Sequence, residues 1–88
     1  MKISSKKREK ILEQILALLY NKNPVALFTS QIAMEIARDE EFVKTLLLDL
    51  KKRRLVIEIK KNASGVDYLK RIRWQLTDDA YTIYKNKQ

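Results

Sequence analysis

Between Thr29 and Val56 the apolar residues that set the pattern are Ile32, Ile36, Val43, Leu47, Leu50, Leu55 and Val56. Ile32 and Ile36 sit one turn apart on one helix, and Val43, Leu47 and Leu50 form a second stripe that begins after an interruption at Arg38-Asp39. Two short helices sharing one small core across such an interruption make a helix-turn-helix. Upstream, Ile11, Leu12, Ile15, Leu16 and Leu19 repeat at the helical interval, with Ser4 or Ser5 as cap and an end near Tyr20. Asn21-Lys22-Asn23-Pro24 is turn chemistry, and Val25 to Phe28 read as a very short strand. Thr29 or Ser30 is the expected cap of the next helix, and Asp39 that of the helix from about Glu40 to Arg53.

After the second motif helix the period changes from helical to alternating. Leu55 to Lys60 alternate apolar and polar, and so do Tyr68 to Leu76, with Ile72, Trp74 and Leu76 on one face and Arg71, Arg73 and Gln75 on the other. Lys61 to Asp67, which hold the only glycine, join the two runs into a hairpin with a basic tip. Thr77 caps a last helix whose Asp78 and Asp79 favour its positive end and whose Ala80, Ile83 and Tyr84 face inward.

On the helix after Asp39, successive residues turn by about 100°. Val43, Leu46, Leu47 and Leu50 then fall on the buried side, Glu41, Thr45, Leu48 and Lys52 centre the exposed side, and Lys44 and Lys51 flank it. In a helix-turn-helix that exposed row enters the major groove, where Thr bonds base edges, Leu touches a thymine methyl and Glu accepts from cytosine N4. The plainer account is an ordinary solvated helix face.

The ordered set Thr29-Ser30, Ile32-Ala33, Ile36, Val43, Leu47, Leu50 and Leu55-Val56, followed by a basic hairpin closed by Trp74-Gln75-Leu76-Thr77, resembles winged-helix DNA-binding domains, especially the MarR-like regulators. The likeness covers about three quarters of the chain, and each motif gains weight from the order of the others. It implies an α+β winged helix-turn-helix: one domain over 1–88, with a basic arm at 1–10, the helix-turn-helix at 29–54, the wing hairpin at 55–76 and a short C-terminal helix at 77–88. Three departures stand out, one of them Arg38 where the family tends to place an apolar turn residue. Ala37 and Arg54 occupy positions where such domains place glycine, and because a left-handed backbone costs a Cβ-bearing residue roughly 1–2 kcal/mol, the first turn is expected to be wider than usual. A minimal single-wing form of archaeal or viral type fits this length better than a form with long dimerisation helices.

Composition agrees with a nucleic-acid partner. The net charge is +8, with +4 on residues 1–10, +2 on 38–54 and +3 on 55–76, while 11–37 carry −1 and the last twelve residues are neutral. Eighty-eight residues suit a single domain too small for a large internal pocket. With no cysteine or histidine, disulfides, thiolate and imidazole metal sites and the commonest general base are excluded. Asp39, Glu40 and Glu41 diverge around a helix start, as do Asp78 and Asp79, so no converging carboxylates suggest an enzyme, a metal site or a cofactor. The apolar stretch at 11–20 is broken by Glu13 and Gln14 and followed by no cleavage site, so neither export nor a membrane span is expected.

The expected role is therefore double-stranded DNA binding by a homodimeric transcriptional regulator, cytoplasmic and nucleoid-associated, with no small-molecule ligand inferred. The helix at 39–53 would read bases through Lys44, Thr45, Leu48 and Glu41. Lys51, Lys52, Lys60, Lys61, Lys70, Arg71 and Arg73, with Asn62 and Ser64 as neutral donors, would hold phosphates or the minor groove. Wing lysines also serve to keep a solvated strand edge from aggregating. Lys2, Lys6, Lys7, Arg8 and Lys10 are a further candidate backbone contact, or solvated charge at a terminus. Tyr68, Trp74, Tyr81 and Tyr84 are assigned to packing rather than to base stacking. The alternative is a winged helix used for protein contact in a replication, transcription or trafficking assembly, with Leu48 and the acidic Glu40-Glu41 end meeting the partner.

Overall fold

The computed structural model describes residues 4–60 and 72–87. Four helices and three strands follow in the order α1 (Ser5–Lys22), β1 (Leu27–Phe28), α2 (Thr29–Glu35), α3 (Glu40–Lys52), β2 (Val56–Ile59), β3 (Arg73–Leu76) and α4 (Asp78–Asn86). Ser4 caps α1 by accepting from the Lys7 N–H at 3.3 Å. Residues 5–10, expected as an arm leading into the helix, form its opening turns.

The strands build one antiparallel sheet in the order β1-β3-β2, with Leu27 opposite Trp74 and Val56 opposite Leu76. Trp74 at its centre is fully buried, and around it close Ile11, Ile15 and Leu19 of α1, Ile32 of α2, and Val43, Leu46, Leu47 and Leu50 of α3. Every helix thus turns its apolar stripe toward one shared core, which is what a chain this small requires. Trp74 and Leu76 face inward as the alternation predicts.

In β2 the alternation misleads. Val56 is 1 % exposed whereas Ile57 is 44 % exposed, because pairing with Trp74 and Leu76 puts Val56 and Glu58, not Ile57, on the core side of the sheet. Ile83 of α4 is likewise turned outward, at 55 % exposure, instead of inward. The reason lies in the tyrosines: Tyr81 and Tyr84 pack their rings 5.2 and 4.8 Å from that of Tyr20 on α1, which fixes the rotation of α4 around buried Ala80.

The caps also differ from expectation at one place. Asp39 and Thr77 cap α3 and α4, accepting from Phe42 N–H and Ala80 N–H at 3.1 Å each. Neither Thr29 nor Ser30 caps α2: Phe28 precedes it, its N–H donating to Gln31 Oε1 at 2.8 Å. The Thr29 hydroxyl instead accepts from the indole N–H of Trp74 at 2.8 Å. A buried indole needs that partner more than an exposed helix end needs its cap.

Ala37 and Arg54 both adopt the left-handed backbone, with φ of 56° and 63°. After α2, Arg38 N–H bonds Ala33 C=O and Ala37 N–H bonds Met34 C=O, and after α3 the same pair recurs from Leu55 to Leu50 and from Arg54 to Lys51. The turn is therefore not widened; the chain accepts the strained residue and keeps the tight closure.

Candidate nucleic-acid interface

The third helix carries the site. Its inner side is completely buried through Val43, Leu46, Leu47 and Leu50, as the wheel predicts. Its outer side is open: Glu41, Lys44, Thr45, Lys51 and Lys52 are exposed and Leu48 is 46 % exposed. The Thr45 hydroxyl donates back to the Glu41 carbonyl at 3.1 Å, which directs its lone pairs outward as acceptors. Glu40 and Glu41 stand in the first turn and Lys51 and Lys52 in the last, each favouring the nearby end of the helix dipole.

Both flanks of the exposed row are tied down by ion pairs. On one, Arg8 of α1 reaches Asp49 at 2.8 Å, and Arg53 reaches Asp49 at 3.1 Å and Glu9 at 3.2 Å. The Arg8 hydrogen bond, against the opposing effect of burial and with help from the charge of Arg53, holds the Asp49 carboxyl below its ordinary 3.8. Glu9 and then Asp49 in turn hold Arg53 charged more firmly than an ordinary guanidinium. On the other flank Lys51 pairs with Glu58 of β2. Lys51, expected to serve phosphates, and Arg8, read as a backbone contact or as solvated charge, are thus both engaged within the protein. Arg8 and Asp49, and Arg53 and Glu9, lie more than 40 residues apart, so no local signal in the sequence points to those pairs.

The wing residues divide. Lys60, just beyond β2, is exposed. Arg73, expected among the phosphate contacts, is only partly exposed and sets its guanidinium 6.0 Å from the centre of the Phe28 ring. Lys61, Asn62, Ser64, Lys70 and Arg71 lie outside the described residues. Among the described residues Lys44, Lys52 and Lys60 form no ion pair. Lys44 also borders a cleft of about 240 Å³ that separates the start of α3 from Phe28, Ser30 and Ile72. Thr29 and Ser30, read from sequence only as a cap, line this cleft as well.

Among the described residues no helix is long and apolar enough to cross a membrane, and no group of three or more acidic, histidine or cysteine side chains is placed to hold a metal. No protein-family model and no curated protein matches the sequence. Solved structures do match it. A mutant of Lactococcus lactis ZitR in apo form superposes with a TM-score of 0.73 at 19 % identity, over 94 % of this chain and 58 % of that one. Lactococcus lactis ZitR itself, described as a zinc-responsive MarR family member, gives 0.68 at 21 % identity over 99 % of this chain and 52 % of that one. MepR of S. aureus, solved in complex with DNA, gives 0.69 at 23 % identity over 93 % of this chain and 71 % of that one. The chain spans between about half and seven tenths of the length of these regulators. At such identities the likeness establishes the fold: a winged helix-turn-helix of the kind found in MarR-family regulators.

Proposed function

We propose that this protein binds double-stranded DNA as a transcriptional regulator, with α3 in the major groove and the wing on phosphates or in the minor groove. One observation carries the reading. The row Glu41, Lys44, Thr45, Leu48 and Lys52 stays open on a helix whose opposite side is wholly buried, so it is presented rather than packed. That the similar MepR has been solved in complex with DNA supports DNA as the partner. Lys44, Thr45, Leu48 and Glu41 read base edges, while Lys52, Lys60, Lys61, Lys70 and Arg71, helped by Asn62 and Ser64, hold the backbone. Lys51 and Arg73 join the backbone contacts only by leaving Glu58 and Phe28.

Duplex binding measured across a salt series tests this. Affinity falls steeply with salt, with a slope near −0.9 for each neutralised phosphate. Replacing Lys60 and Lys61 by Ala lowers affinity for all sequences alike, whereas Thr45→Ala changes preference at particular base pairs. Absence of binding in dilute salt at micromolar protein overturns the proposal. It favours the second reading, a protein-contact module, which rests on Leu48 and the acidic Glu40-Glu41 start of α3.

The regulator acts as a homodimer on paired half-sites. The face offered for self-association is a groove of about 320 Å³ between α1 and α4, lined by Leu16, Leu55 and outward-turned Ile83 together with Glu13 and Lys87. Opposite charges in its lining suit a two-fold pairing in which each Glu13 meets the Lys87 of the other copy.

A further inference from the structure

We propose that Asp49 and Glu58 are positioning residues that keep the cations flanking α3 off DNA phosphates, so that binding depends on the sequence-reading row. The inference rests on the DNA-binding reading above.

Around the helical wheel, Asp49 and Arg53 fall on one flank of the row centred on Thr45 and Leu48, and Lys44 and Lys51 on the other. Asp49 engages Arg8 and Arg53 on the first flank, and Glu58 engages Lys51 on the second. Three of the basic side chains closest to the row are therefore paired inside the protein, while Lys44 and Lys52 carry no such partner among the described residues. A lysine or arginine free beside a groove adds a phosphate contact to any duplex, right sequence or wrong. A carboxylate holding that cation removes the contact from both. The difference between the two duplexes then rests on Lys44, Thr45 and Leu48. The same pairs brace α3 against α1 and β2.

Removing the carboxylate charge while keeping its shape separates this role from a merely structural one. Asp49→Asn leaves Arg53 with Glu9 but releases Arg8, and Glu58→Gln releases Lys51. Asparagine and glutamine keep the shape and hydrogen-bonding capacity of these part-buried carboxylates, and circular dichroism checks that both variants fold. Each variant, and the pair combined, is compared with the parent on a pool of random-sequence duplexes and on the duplex recovered from that pool by selection.

The expected result is tighter binding to the random pool, a salt slope steeper by about 0.9 for each released cation, and a smaller ratio between selected and random duplexes. Asp79→Asn on α4 makes the same change in net charge at a carboxylate that takes part in none of these ion pairs, and should leave the slope unaltered. Weaker binding to both duplexes with an unchanged slope means that the carboxylates only support the fold, and overturns the inference. So does an equal steepening by Asp79→Asn, which makes the effect one of overall charge. If the parent protein binds no duplex, the DNA-binding reading itself fails. If the parent binds and the variants match it, only this inference fails.

Discussion

Trp74 is the residue on which the interior turns. Its indole is fully buried, and its one polar atom reaches the Thr29 hydroxyl across 45 residues of chain. Thr29→Val keeps the volume and removes the acceptor, which strands the N–H and costs about 1–3 kcal/mol. Urea unfolding should show a lower midpoint with an unchanged slope, and Thr29→Ser should restore most of the loss. Asp49 gives a second test at this scale. Its carboxyl loses its proton more readily folded than unfolded, so its stabilising effect is complete above the ordinary 3.8 and disappears as the pH falls through the lower folded value. Acid unfolding of Asp49→Asn, followed by circular dichroism, should depend less on pH below 3.8 than that of the parent.

Helix ends are where local preference and fold conflict most. Ala37 and Arg54 bear the steric cost of a left-handed backbone that glycine would not, and both positions were marked by the resemblance as places where glycine is usual. The closing bonds from Arg38 to Ala33 and from Leu55 to Leu50 hold the turns tight regardless. Replacing either residue by Gly relieves roughly 1–2 kcal/mol of strain but loosens the unfolded chain, for a net gain of about 0.5–1 kcal/mol in thermal unfolding. A loss on substitution would mean that the Cβ makes contacts worth more than the strain.

The elements of regular period were the legible ones. The stripes of α1 and α3 and the Thr77 cap follow directly from spacing, since a helix has to bury every third or fourth residue. In β2 the same logic failed, because Val56, Ile57 and Ile59 are all apolar and only the pairing with β3 selects the inner row. Thr77 shows how firmly that region is closed. Its hydroxyl donates to the Arg54 carbonyl at 3.0 Å while accepting from Ala80 N–H, joining the end of α3 to the start of α4.

At the scale of the whole molecule the question is how a charge of +8 is deployed. A count of basic residues overstates what can meet a phosphate, since Asp49, Glu9 and Glu58 hold part of that charge inside the fold. The groove between α1 and α4 bears on assembly. Sedimentation of the free protein should give a dimer, and Ile83→Asp, which places a charge in the proposed interface at an already exposed position, should give a folded monomer. Unchanged sedimentation of that variant would exclude this face.

By itself the sequence determined the order of elements, the inner side of α3 and the open row of Lys44, Thr45 and Leu48, because period and capping are properties of neighbouring residues. Only the tertiary structure decided the partners of Thr29, Arg8, Lys51 and Arg73, the inner row of β2 and the rotation of α4. Apart from Lys51 and Glu58, which meet across the turn from α3 into β2, each of those depends on groups brought together from distant parts of the chain, where burial and charge pairing outweigh any local preference.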